Sequence, residues 1–89
     1  MPAIDVFRSY GSDSQGPATH AADVAPSDGS DISHVTRAIY VGGAGDLRVT
    51  LKGGGDVTFR NLGSGVLLPV RATRVWQSGT TAGDLVALW

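Results

Sequence analysis

The sequence predicts an all-β fold: a small antiparallel β-sandwich or partly closed barrel, jelly-roll-like, with an extended N-terminal arm. Three observations predict it. From Asp46 to Lys52 the residues alternate without a fault, with Leu47, Val49 and Leu51 on one side and Arg48, Thr50 and Lys52 on the other, the two-residue period of a half-buried strand. From Thr36 onward, short apolar runs are separated by glycine-rich breaks about 8–12 residues apart, the spacing of small sandwiches and barrels. All eight acidic residues are Asp, none is Glu, and there is a single Lys. The residues that favour solvated helix faces are missing, and those that favour turns are abundant.

The chain divides into residues 1–33, an extended polar arm, and residues 34–89, the β body of what is a single domain overall. Ile4, Val6 and Phe7 form a small apolar patch that can add a strand or anchor the arm. From Ser9 to Ser33 the chain is rich in Ser, Asp, Gly, Ala and Pro, too poor in large apolar groups to offset its own ordering entropy. Pro17 and Pro26 forbid a long helix, though Thr19 to Val24 has room for one turn. Such an arm is expected to lie extended across another protein surface, and its removal to leave a folded body. Ser30 is a possible cap for a short helix, but the β-branched Val35, Thr36 and Ile39 and the glycines beyond favour a strand.

In the body, Ile39 and Val41 alternate with Ala38 and Tyr40 before Gly42-Gly43-Ala44-Gly45. The alternating segment follows, then Gly53-Gly54-Gly55, then Val57 and Phe59 alternating with Thr58 and Arg60. Both glycine runs read as hairpin turns, most clearly the triple glycine. Val66 to Val70 is apolar on both faces, as in a buried strand, although Pro69 removes a ladder donor and implies an edge or a bulge. Arg71 to Gln77 continues extended, Ser78 to Gly83 is a loop, and Asp84 to Trp89 is a last strand with apolar residues on both faces, expected to be tied down.

Several functional classes are set aside by the residues themselves. There is no cysteine, and the formal net charge is −1, against the clustered Lys and Arg that nucleic acid requires. No apolar run approaches the roughly 20 residues of a membrane span, and no Sec signal is expected. Phosphate loops need a helix after the glycines, and strands follow here. Asp23, Asp28 and Asp31 lack calcium-loop spacing and a distal Glu. His20 and His34 lack a zinc pattern. No G-x-S-x-G elbow is present. The expectation is no catalytic residue, no metal, no cofactor, no enzyme.

Charge is unevenly placed. Residues 1–35 hold Arg8 against five aspartates, and residues 36–89 hold six basic residues against three aspartates. The leader either folds back on the body, pairs with a neighbouring copy, or is solvated by itself. Phe59 is expected in the core, with Trp76 and Trp89 divided between core and subunit interface. Arg37, Arg71, Arg74, Trp76 and Trp89 are the residues assigned to a partner or oligomer interface, and a tryptophan beside Arg71 and Arg74 equally suits stacking on a sugar.

The order of residues also carries a resemblance. His20 to Asp31, His34 to Leu47, Val57 to Asn61, Leu67 to Arg71 and the terminal Ala-Leu-Trp together resemble the head spike base family of phage-like gene transfer agents, with relatives in tailed phages and prophages. The resemblance runs from about His20 to Trp89 and rests on order and extent, since no single motif in it is chemically diagnostic. It implies a virion structural protein at the fivefold vertices of an icosahedral head, a homopentamer joining the major capsid protein to a spike fibre that promotes adhesion to the recipient cell. It implies no catalytic residue, nucleic acid or membrane, and a protein made in the bacterial cytoplasm and released with the particle. The alternative is a small carbohydrate-binding module acting directly on cell-surface polysaccharide.

Overall fold

The structure, a computed structural model, describes residues 17–89, and the Ile4, Val6 and Phe7 patch lies outside them. Seven strands follow one another: β1 (Ala21–Asp23), β2 (Ala38–Gly43), β3 (Gly45–Leu51), β4 (Asp56–Leu62), β5 (Val66–Leu68), β6 (Ala72–Val75) and β7 (Gly83–Leu88). They form a four-stranded sheet in the order β1-β7-β2-β5 and a three-stranded sheet in the order β4-β3-β6. Every pairing is antiparallel. The sheets face each other across one core of Ile39, Val41 and Leu85 from the first and Leu47, Val49 and Val75 from the second. The fold is therefore the sandwich of the two predicted alternatives, and the sheets do not close into a barrel.

Alternation predicts the core where it is strict. Leu47 and Val49 are fully buried, while Arg48 and Thr50 face outward. The triple glycine makes the predicted hairpin, with β3 and β4 in register from Leu47↔Phe59 to Thr50↔Asp56. Phe59 is half-buried and packs against the core rather than lying within it.

Two further expectations are corrected. The run Gly42–Gly45 is not a hairpin turn, because β2 and β3 belong to different sheets. The glycines let the chain change layers where the backbone is crowded: a Cβ on Gly45 would stand 2.6 Å from the Ala82 nitrogen. The run Val66–Val70 is not buried on both faces, because among the described residues β5 pairs only with β2 and leaves Leu67 55% exposed. That is the edge position Pro69 indicated. After Ser30 no helix forms, in line with the β-branched residues there, and the chain stays irregular until β2 begins at Ala38.

Residues 17–33 are extended, but the surface they cross is their own chain's. β1 extends the four-stranded sheet beside β7. The Val24 amide then donates to the Leu85 carbonyl (2.9 Å), that of Ser27 to Val75 (2.9 Å) and that of Ile32 to Thr73 (3.0 Å). The segment thus straps the edge of one sheet to the edge of the other, and Val24 and Ile32 pack on the core. A second tie comes from Thr36, fully buried between the layers, whose hydroxyl donates to the Val70 carbonyl (2.6 Å) and accepts from the Ala72 amide (2.9 Å).

Candidate functional site

The outer faces of the two sheets differ in chemistry. On the three-stranded sheet, alternation turns Arg48 and Thr50 of β3 outward, and register sets Thr50 between Arg74 of β6 and Asp56 of β4. Trp76 follows β6 beside Arg48, its amide donating to the Arg48 carbonyl (2.9 Å). The Trp76 indole N–H donates to Thr50 Oγ1 (2.8 Å), and the guanidinium carbons of Arg48 and Arg74 stand 4.1 and 5.2 Å from the ring centroid. These are cation–π distances. Arg48 also pairs with Asp56 (3.3 Å), and Arg74 with Asp31 of the strap (2.8 Å). Beside them, Asp28 accepts from both the amide and the hydroxyl of Ser78. The Ser78 hydroxyl is the first reason, and its amide the second, that the Asp28 carboxyl is held below its ordinary value of 3.8.

Trp89 is also held within the chain. Its amide and carbonyl exchange hydrogen bonds with His20, 2.9 and 2.7 Å. Its ring stacks with His34 at 4.5 Å between centroids and with His20 at 5.6 Å. Each imidazole shares a hydrogen bond through Nδ1 with a neighbouring hydroxyl, Thr19 for His20 and Ser33 for His34. A groove of about 180 Å³ lies alongside, between the strap and β7, with Asp23, Ile32, His34 and Trp89 among its walls. Among the described residues, no three His, Cys, Asp or Glu side chains gather to hold a metal.

The four-stranded sheet shows an apolar outer face. Register places Asp23, Val86, Tyr40 and Leu67 in one row across β1, β7, β2 and β5. Tyr40 is 41% exposed and Leu67 55%. At the opposite end of the sandwich, Lys52, Gly53 and Gly54 of the hairpin turn meet Val70 and Arg71 around a shallow bay of about 450 Å³ floored by Leu51.

Of the five residues that the sequence assigns to an interface, the structure gathers Arg74 and Trp76 in one cluster. It sets Trp89 on the histidines, leaves Arg71 exposed at the bay, and places Arg37 half-buried before β2, its amide donating to the Leu88 carbonyl (2.7 Å). Sequence reasoning missed Arg48 and Thr50 as partners of Trp76, because which residue of β3 lies beside Trp76 is a matter of long-range register. It also missed the convergence of His20 and His34 on Trp89. Tyr40 and Leu67 carried a signal, each being a bulky apolar residue at the outward phase of its strand.

No family model matches the chain, and no curated protein matches it. Among solved structures the chain is similar to one from the capsid of a native gene transfer agent (GTA) particle computed with C5 symmetry. The two superpose with a TM-score of 0.83 and are 34% identical, covering 97% of this chain and 100% of that one. Agreement of that extent in both sequence and fold goes beyond shared architecture, and the chain belongs to the family of this gene transfer agent capsid component.

Proposed function

We propose that this chain is a head spike base: a virion structural protein that assembles as a homopentamer at the fivefold vertices of a phage-like head and links the major capsid protein to a spike fibre. The fibre then promotes adhesion to the recipient cell. The observation that carries the reading is the likeness, over nearly the whole of both chains, to a capsid component of a particle computed with C5 symmetry. The resemblance of His20–Asp31, His34–Leu47 and the terminal Ala-Leu-Trp to the spike base family supplies the finer assignment. The protein is made in the bacterial cytoplasm and leaves with the particle. Its work is to be held by neighbours, and the polar sheet face, the apolar sheet face and the basic bay offer three surfaces for that.

The alternative, direct binding of polysaccharide through a tryptophan, has less support, since Arg48 and Arg74 lie against the Trp76 ring and His34 and His20 stack on Trp89. Particles from a strain deleted for this gene test the proposal by electron microscopy. Intact heads without vertex spikes are expected, and normal spikes on such particles would refute it.

A further inference from the structure

The charges left over after the fold is built are not scattered. Among the described residues, ion pairs join Arg48 to Asp56, Arg60 to Asp46 and Arg74 to Asp31, and Asp28 is held by Ser78. Arg37 is engaged within the fold. Asp23, Asp84, Lys52 and Arg71 enter none of these ion pairs, and all four are exposed. The two acids lie on the apolar outer face of the four-stranded sheet. Asp23 heads the row that continues through Val86, Tyr40 and Leu67, and Asp84 shares the outward phase of β7 with Val86. The two bases are neighbours across a backbone hydrogen bond, Lys52 amide to Arg71 carbonyl, 2.8 Å. They rim the bay whose apolar wall is Leu51 and Val70.

These patches match in chemistry, acid with apolar against base with apolar, yet they stand apart. Asp84 packs against Gly42, just before β3 begins, and Lys52 follows its end. A seven-residue strand separates them by about 20 Å. Among the described residues, the two patches of one copy therefore do not neutralise each other. A two-fold contact would have to bring both patches of each copy onto one interface at once, acid on base twice over, whereas the ring read above uses one patch from each copy at every contact. A contact of that second kind is head to tail, and it closes into a ring when its rotation allows. We propose that copies of this chain join head to tail, the acidic apolar sheet face of one seated on the Lys52–Arg71 bay of the next. This rests on the ring reading above and names the surfaces that make it. The apolar row supplies the area, and the charges set partner and orientation.

The test is the mass in solution of the full chain and three variants by light scattering, with circular dichroism as the check on folding. The first variant is K52D/R71D. The second is D23K/D84N, with Asn because position 84 has a left-handed φ of 51° that Asn tolerates. The third carries all four changes. A multimeric wild type is expected, falling to the 9.1 kDa of one chain in both double variants and regaining mass in the quadruple one. Folded double variants that keep the wild-type mass would overturn the proposal, as would a folded quadruple variant that stays monomeric. Loss in K52D/R71D alone would show the bay docking something other than this face, and also overturns it. A wild type monomeric at high concentration refutes self-association through these patches but leaves the vertex assignment to the deletion experiment, so the two failures are distinguishable.

Discussion

Thr36 joins the two sheets through one hydroxyl. Its replacement by Val keeps the shape but leaves the Val70 carbonyl and the Ala72 amide short of a partner in a buried place. Each such group costs about 1–3 kcal/mol, so T36V is expected to lose roughly 2–4 kcal/mol in urea unfolding. Glycines divide in the same way by surroundings. Gly45→Ala drives a methyl to 2.6 Å from the Ala82 nitrogen and forces backbone apart, whereas a Cβ at Gly53 meets nothing within 4 Å. Thermal melts are expected to show a large drop for G45A and almost none for G53A. Asp28 carries a pH signature. Its carboxyl titrates below the ordinary value because Ser78 stabilises the charged form. The contribution is therefore complete above about pH 4 and is lost as the pH falls through the lowered value. Asp28→Asn is accordingly expected to be less stable than wild type at neutral pH, with the gap closing below pH 4, as urea titrations at both pH values will read.

At the scale of elements, the β3–β4 hairpin was legible because everything that specifies it is local: strict alternation, a triple glycine, then alternation again. The Gly42–Gly45 run has the same local signature and a different fate. Whether glycines turn a strand back or carry it to another layer depends on which distant strands wait to pair, here β5 and β7 for β2 and β6 for β3. The strap was hidden for a related reason. Between Pro17 and Ser33 only Val24 and Ile32 are large aliphatic residues, too few to show a period, and the bonds that fix the segment go to carbonyls of Leu85, Val75 and Thr73, more than forty residues away. Composition marked it as extended but not as part of the sandwich. Removal of residues 1–33 strips an edge strand, two core contacts and the Asp31–Arg74 pair from a small core. Where composition alone led to a folded body without the arm, these contacts lead to the opposite outcome, and the remaining body is expected to lose its cooperative melt in circular dichroism. An undiminished transition would show the strap to be dispensable.

The whole molecule is a thin sandwich whose two outer faces do different work. Cations, aromatic ring and carboxylates of the three-stranded sheet and strap satisfy one another, while the four-stranded sheet presents an apolar row rimmed by unmatched acids. Such a surface belongs to a protein built to be covered. Of the five residues the sequence assigned to an interface, Arg71 stands exposed at the bay. The involvement of Arg74 and Trp76 with Arg48 and Asp31 was not legible in the sequence, because it depends on how the sheet and the strap come together. The vertex assignment proposed above makes this chain a part of the particle. The most direct measurement is cryo-electron microscopy of purified particles carrying a compact tag on the C-terminus of this chain, reconstructed around the fivefold axes. A ring of this sandwich at the vertices, with tag density beside each copy, is the expected result. Particles whose vertices are complete while the tagged chain remains behind in the cell lysate would contradict it.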